Sequence, residues 1–127
     1  MSAQILIVDD SVHLRQAIRA CIEQNADWSI CGEAENGRVA VDMVRKLSPD
    51  VVILDLAMPV MNGLEAARYI TVIAPQARLV LFTMHASNQL LKEAKALGFC
   101  DVLSKAEGGT ERLLACLTAL LSPPNLD

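Results

Sequence analysis

Five polar side chains of this sequence stand where hydrophobic runs end, and their types are those of a catalytic or ion-binding site. They are Asp9, Asp10, Asp55, Thr83 and Lys105. Asp55 directly follows the four apolar residues 51–54, so a segment that is typical of a buried strand ends in a carboxylate. An ionised acid in such a place must be compensated by an opposite charge or by hydrogen bonds. The five positions therefore indicate a functional site.

The three carboxylates of this set need a cation if the fold brings them together. Two like charges about 4 to 5 Å apart repel by roughly 3 to 4 kcal/mol at an effective dielectric constant near 20. Carboxylate oxygens without neighbouring Cys or paired His ligands favour Mg²⁺, with Mn²⁺ as the alternative ion. Mg²⁺ held by a few carboxylates keeps several waters and takes a phosphate oxygen as a further ligand.

Phosphoryl chemistry on Asp55 is the reaction that the set predicts. A carboxylate can act as the nucleophile and form an aspartyl phosphate. Lys105 offers a positive point charge, and Thr83 offers a hydroxyl donor, for the oxygens of a phosphoryl group on that aspartate.

Short apolar runs alternate along the chain with segments of helical period. Continuous apolar runs are typical of buried parallel strands, and each segment between them is long enough for a crossover helix. The alternation predicts a doubly wound α/β domain with five strands and five helices. In the order 2-1-3-4-5 the first and third strands are neighbours, so the three acids converge at the sheet edge where such folds bind ligands. The runs are residues 5–8, 28–31, 51–54, 79–82 and 101–103.

Turn and capping residues mark the ends of the predicted helices. One domain is expected over residues 1–121, and residues 122–127 form a tail or the start of a linker. The signals are Asn36 with Gly37 at the start of the second helix, Ser48 with Pro49 at its end, Pro75 after the third, Gly98 after the fourth, and Pro123 with Pro124 after the fifth.

Composition excludes several classes of protein. Of 127 residues 53% are apolar, which gives a core and excludes a disordered chain. The net charge of −4 and the lack of a basic patch argue against direct nucleic acid binding. No apolar stretch reaches the roughly 18 residues of a bilayer span, and no basic region precedes the first apolar run, so we expect no membrane partner and a cytoplasmic location. The four cysteines, which form no CxxC pair, are expected to be reduced core thiols.

Four motifs at matching spacing make the chain resemble the receiver domains of two-component response regulators. They are residues 5–10, residues 55–59 with Asn62 and Gly63, residues 81–83, and Gly98 followed seven residues later by Lys105. The resemblance covers essentially the whole chain. It implies a flavodoxin-like, doubly wound sheet of five parallel strands in the order 2-1-3-4-5, with five helices.

The resemblance also implies a role for each site residue. Asp55 would accept a phosphoryl group from a sensor histidine kinase or a phosphotransfer protein, and Lys105 and Thr83 would bind the phosphoryl oxygens. Mg²⁺ would be held by Asp10, with help from Asp9, Asp55 and the backbone carbonyl of Ala57.

A movement of Thr83 would then alter the surface around the fourth helix, the fifth strand and the fifth helix, which controls an output domain or protein. The chain is similar to receivers attached to helix-turn-helix DNA-binding domains, so the expected output is transcriptional. The only catalysis expected is of its own phosphoryl transfer and dephosphorylation.

Three positions depart from the pattern of the family. Val102 stands where many receivers carry an aromatic residue three positions before the lysine. Ala106 replaces the proline that often follows the lysine, so no cis bond is expected there. Met84 stands where a smaller residue is frequent and would narrow access to the phosphoryl group.

Several alternatives stay open at this point. Asp10, with Ser11, would serve only as a cap of the first helix. A second alternative is a Mg²⁺-dependent phosphatase, although Ala57 replaces the second acid of the Asp-x-Asp motif of such enzymes. A third is a receiver that docks a partner without being phosphorylated. A fourth is a flavin carrier, which the acids after the first strand disfavour because they would repel the flavin phosphate. The wide apolar face of the fifth helix, from Leu113 to Leu121, is explained either by the core or by a homodimer.

Overall fold

A strand and a helix alternate five times within residues 2–122. The structure is a computed structural model that describes residues 2–122. The five strands form one parallel sheet in the order β2-β1-β3-β4-β5, so the predicted doubly wound, flavodoxin-like α/β fold is confirmed. The elements are β1 (Ala3–Val8), α1 (Val12–Ile22), β2 (Trp28–Ala34), α2 (Gly37–Leu47), β3 (Val51–Leu54), α3 (Gly63–Ile73), β4 (Arg78–Thr83), α4 (Asn88–Leu97), β5 (Phe99–Ser104) and α5 (Gly109–Leu121).

Two apolar clusters cover the two faces of the sheet. In β3, Val52 and Leu54 belong to the cluster under α2, α3 and α4, whereas Val51 and Ile53 belong to the cluster under α1 and α5. All four side chains are at most 1% exposed. A strand buried on both faces needs apolar residues at every position, which is why the run is continuous. Asp55, the first polar residue after this buried strand, therefore lies at the edge of the sheet.

Helix ends lie at most of the predicted boundaries. Asn36 caps α2 through a hydrogen bond from the Val39 amide, and Ser48 ends this helix at a φ of 48°. Gly98 ends α4 at a φ of 106°, a conformation that favours glycine because it has no Cβ. The end of α5 at Leu121 is described, but the proline pair 123–124 and the tail from 123 onwards lie outside the described residues.

The edge strand β5 corrects the expectation of four core thiols. All four cysteines are free, but Cys100 is exposed and the other three are only partly buried. Leu79 of β4 pairs with Phe99, and the next residue of β4, Val80, pairs with Asp101. Cys100 is therefore an extra, unpaired residue at an irregularity of the strand, where the side chain is turned away from the core.

The apolar face of α5 packs against the sheet. Leu113 and Leu117 are almost fully buried, and Leu114, Leu120 and Leu121 are partly buried. This packing favours the core explanation of the two that the sequence left open, since no large apolar side chain of α5 is exposed. Within residues 2–122 no helix has the length and hydrophobicity required to cross a bilayer.

Candidate functional site

The carboxyl ends of four strands bring all five predicted polar residues to one edge of the sheet. Asp9 and Asp10 follow β1, Asp55 follows β3, Thr83 ends β4, and Lys105 follows β5. The hydrogen-bond ladder continues one residue beyond the strands. The Asp55 amide donates to the Val8 carbonyl at 2.9 Å, and the Lys105 amide donates to the Thr83 carbonyl at 2.9 Å. Sheet register therefore fixes the backbone of the site.

The three carboxylates form one cluster in which ligand atoms of Asp9, Asp10 and Asp55 all lie within 4.8 Å of one another. Asp9 is 2% exposed and Asp55 is 6% exposed, whereas Asp10 is open to solvent. Two buried anions at this separation repel strongly and need a counter-charge.

Lys105 supplies that counter-charge. Its Nζ lies 2.6 Å from Asp9 Oδ2 and 3.1 Å from Asp55 Oδ1. The lysine side chain is only 9% exposed, so the ammonium group is nearly as buried as the acids. One cation is thus shared between two carboxylates, which leaves the cluster with an excess of negative charge.

Asp9 is held by hydrogen bonds at every polar atom. Its amide donates to the Ala34 carbonyl at 3.0 Å, and its Oδ1 accepts from the Ser11 amide at 2.8 Å. Its carbonyl accepts from Arg15 Nη1 at 2.5 Å, and its Oδ2 accepts from Lys105. Asp9 therefore has a fixed orientation within the site.

Asp10 and Ala57 have the opposite character. Both are exposed, and neither the Asp10 carboxylate nor the Ala57 carbonyl accepts a hydrogen bond from any described residue. Ser11, not Asp10, caps α1, because its Oγ accepts from the Leu14 amide at 3.2 Å. The capping alternative for Asp10 is therefore excluded.

The donor set fits a hard divalent cation. Oxygen ligands about 2.1 Å from one Mg²⁺ lie at most about 4.2 Å apart, so the spread of 4.8 Å needs only a small adjustment. The Asp10 side chain is exposed and can take part in this adjustment. Asp10, Asp55 and the Ala57 carbonyl offer free oxygen lone pairs, and Asp9 is the buried support beside them.

Burial raises the pKa of the Asp55 carboxyl. Removal from water is the largest cause, and the negative charge of Asp9 adds to it, while Lys105 acts in the opposite direction. The charged form of Asp55 is therefore disfavoured in the protein when no divalent ion is present. Binding of a second cation, or a reaction that changes the charge of the Asp55 carboxylate, therefore has a large effect on the electrostatic energy of the site.

Asp55→Asn is expected to stabilise the protein at neutral pH in EDTA, by about 1 kcal/mol, because it removes a buried charge that is incompletely compensated. Because the pKa is raised on folding, the native state binds this proton more tightly than the unfolded state does. Wild-type protein therefore gains stability as the pH falls through the raised pKa towards the ordinary value of 3.8. Urea unfolding between pH 7 and pH 4 should show the two curves converging. A difference that widens on acidification would contradict this assignment.

Thr83 and the two residues after it line the same edge. Thr83 is fully buried, and its Oγ1 accepts a hydrogen bond from the His85 amide at 3.1 Å. Met84, which the sequence predicted to narrow access to the site, is 62% exposed. Its position just beyond β4 points it into solvent beside the site.

An ion-pair chain that sequence reasoning missed supports the site from α1 and β2. Arg15, which contacts the Asp9 carbonyl, also donates from Nε to Glu33 Oε1 at 3.0 Å. Arg19 binds the other oxygen of Glu33 at 2.7 Å and reaches Glu23 at 3.0 Å. The available signal was a pair of arginines one helical turn apart on α1, followed by the strand β2, in which Glu33 is the single acid.

Arg15→Gln is expected to lower the free energy of unfolding by about 1.5 kcal/mol, because it removes a charge-assisted bond to the Asp9 carbonyl and a partly buried ion pair. Arg19→Gln is the matched control: it also contacts Glu33 but not Asp9, and it should cost less than about 0.5 kcal/mol. Urea unfolding of both variants measures the difference. Equal losses would show that the contact with Asp9 has no special importance.

The loop 56–62 joins Asp55 to α3 under tight constraints. The Gly63 amide donates to the Leu56 carbonyl at 3.0 Å, and the Gly37 amide donates to the Met61 carbonyl at 3.0 Å. Val60 has a φ of 69°, which is unfavourable for a β-branched residue, and its side chain is 79% exposed. The loop is thus anchored at both ends beside the acid cluster.

The β5 side of the site departs from the receiver pattern as the sequence indicated. Val102 is half-buried in β5 and packs against the cluster under α4, so no aromatic ring occupies this place. All peptide bonds described are trans, including that between Lys105 and Ala106.

Comparisons with known proteins agree with this geometry. Residues 5–118 match the family described as "Response regulator receiver domain". The chain is 38% identical over 102 residues to Protein CcdB of Bacillus subtilis, covering 80% of this chain and 84% of that protein. It is 39% identical to Transcriptional regulatory protein YdfI of the same organism, covering 80% of this chain but only 47% of YdfI. Among solved structures, the response regulator domain of Thermotoga maritima CheB superposes with a TM-score of 0.87 at 27% identity, covering 98% of this chain and all of that one.

Proposed function

The chain belongs to the response regulator receiver family, and we propose that it is a phosphoacceptor switch of a two-component phosphorelay. Asp55 takes a phosphoryl group from the phosphohistidine of a sensor histidine kinase or a phosphotransfer protein. The observation that carries this proposal is the position of Asp55, a buried carboxylate 3.1 Å from a buried ammonium group and beside two further acids. A cytoplasmic location, where such a donor is found, is part of the same proposal.

In the transfer step, a carboxylate oxygen of Asp55 attacks the phosphorus of the phosphohistidine. One P–O bond forms as the P–N bond breaks, and the imidazole leaves with the electron pair of that bond and takes up a proton from solvent. Mg²⁺ supplies neutralisation of the phosphoryl oxygens when it is bound. Asp10, Asp55 and the Ala57 carbonyl would hold it, with Asp9 as the anchored support.

Lys105 and Thr83 act on the phosphoryl oxygens in this proposal. Lys105 Nζ already contacts Asp55 and Asp9, and it shifts towards the new phosphoryl oxygens as charge grows there. In the structure Thr83 Oγ1 accepts a hydrogen bond from the His85 amide. The hydroxyl proton is not used in this bond, so it is available to a phosphoryl oxygen. Donors positioned close to the reacting oxygens in this way are the main means by which proteins stabilise phosphoryl transfer.

The output follows from the new charge. Reorientation of Thr83 would be passed to α4, β5 and α5, which form the signalling surface, and an output domain or protein would bind it with altered affinity. With Val102 in β5, this relay works without an aromatic side chain at that position. The similarity to a transcriptional regulatory protein supports a transcriptional output, and the catalysis of the chain is confined to its own phosphorylation and dephosphorylation.

The test is incubation with acetyl phosphate and Mg²⁺, followed by intact mass measurement. Wild-type protein should gain one phosphoryl group, and Asp55→Asn should gain none. Asp27→Asn, a change at an exposed aspartate far from the cluster, is the matched control and should be modified like wild type. An adduct that persists in Asp55→Asn, or no adduct in wild type, would overturn the proposal.

A further inference from the structure

A groove runs between α2 and α3, on the side of the molecule away from α5. Its main part has a volume of about 530 Å³ and is lined by Arg45, Glu65, Arg68, Tyr69, Val72 and Ile73. A second hollow of about 210 Å³ continues it, with Arg45 and Tyr69 shared between the two. The two hollows therefore form one surface feature, named here the α2–α3 groove.

The groove carries unpaired positive charge. Arg38, Arg45 and Arg68 all line it, and none of them forms an ion pair or a side-chain hydrogen bond with another described residue. Two acids also line it, but Glu65 is engaged with the Asn62 amide in the capping box of α3. Three arginine side chains against the carboxylates of Asp42 and Glu65 still leave the groove with a net charge of +1, in a chain of net charge −4.

Exposed apolar side chains accompany this charge. Tyr69 is 53% exposed and Val72 is 80% exposed, and they lie three residues apart on the outer face of α3. An apolar patch rimmed by charged residues is typical of a protein-binding site. Grooves between two helices commonly bind a third, amphipathic helix.

We propose that the α2–α3 groove docks an acidic, amphipathic helix of a protein partner. Apolar residues of that helix would cover Tyr69 and Val72, and its carboxylates would pair with Arg45 and Arg68. The 11 residues of α3 span about 16 Å, which matches three turns of a bound helix. A concave surface that contains Asp42 fits a helix better than it fits a flat anionic membrane.

The proposal goes beyond the proposed function and does not depend on phosphorylation. It does place the partner beside the loop 56–62 that follows Asp55. Met61 of this loop lines the groove, and its carbonyl accepts from the Gly37 amide at 3.0 Å. A bound helix would therefore contact both α2 and the segment that follows Asp55.

The test uses a fluorescein-labelled, 15-residue peptide in which leucines recur at helical spacing and glutamates fill most other positions. Fluorescence anisotropy should show saturable binding, and Arg45→Glu with Arg68→Glu should weaken it at least tenfold. The matched control is Lys92→Glu with Lys95→Glu on α4, which makes the same change of charge at exposed positions outside the groove. It should change the affinity less than twofold.

Two further arms separate docking from general attraction between charges. A peptide of equal charge with glutamine in place of leucine should bind at least tenfold more weakly, and Val72→Ser should weaken the leucine peptide. Arg45→Gln with Arg68→Gln repeats the test if the double glutamate variant fails to fold. Equal weakening in the α4 control, equal binding of the glutamine peptide, no binding at all, or groove-dependent binding only to phosphatidylserine vesicles would each overturn the proposal.

Discussion

Lys105→Met is expected to lower the free energy of unfolding by about 3 kcal/mol at neutral pH in EDTA, because it leaves two buried carboxylates without their shared cation. The side chains of Lys105, Asp9 and Asp55 are 9%, 3% and 8% exposed, so water compensates little of the loss. The loss should shrink at acid pH, where one of the two carboxylates takes up a proton. Urea unfolding at pH 7 and pH 5 measures both effects.

Two controls make this result specific. Lys95→Met, at an exposed position of α4, should change stability by less than about 0.5 kcal/mol. Lys105→Met combined with Asp55→Asn should be clearly more stable than Lys105→Met alone, because only one buried anion remains. If the second substitution brings no recovery, repulsion between Asp9 and Asp55 is not the cause of the loss.

Gly63→Ala is expected to cost about 3 kcal/mol and to disrupt the site, because a methyl group at this position has no room. A Cβ there would lie 2.2 Å from the Asp55 carbonyl oxygen and 3.2 Å from Leu81 Cδ1. The first of these atoms is backbone and cannot move without shifting Asp55 or the start of α3. The free energy of unfolding measured in urea and the yield of the acetyl phosphate adduct should both fall.

Gly32→Ala is the matched control for that substitution. A Cβ at Gly32 would meet only side-chain atoms, the nearest being Leu47 Cδ1 at 3.2 Å, and these can adjust. It should cost less than about 1 kcal/mol and leave the adduct yield unchanged. Similar losses at the two glycines would mean that contact with the Asp55 backbone is unimportant.

The sequence predicted the fold and the membership of the site because both depend on simple patterns. Strands buried on both faces require continuous apolar runs, and the first polar residue after such a run must lie at the sheet edge. This reasoning places Asp55 and Thr83 at one edge of the sheet, and Lys105 lies two residues beyond the last run. Their roles in phosphoryl transfer stay a proposal that the adduct experiment tests.

Other features depend on distances that no pattern in the sequence reports. The ion pair between Arg15 and Glu33 joins a helix to a strand 18 residues away, and periodicity does not specify which arginine reaches which acid. The exposure of Cys100 results from an irregularity of pairing in β5, and that of Met84 from the exact end of β4. Such details follow from register and termination, which hydrophobic runs define only to within a residue or two.

The left-handed backbone at Val60 has a consequence for the order in which the native structure loosens. This conformation costs a residue with a Cβ about 1 to 2 kcal/mol, which the hydrogen bonds at the two ends of the loop must offset. The segment between Asp55 and α3 is therefore expected to open in local fluctuations well before the sheet separates, and its amides to exchange with solvent faster than those of β3. The rigid strand and the strained loop, which is held mainly at its two ends, meet at the carboxylate that we propose to be phosphorylated.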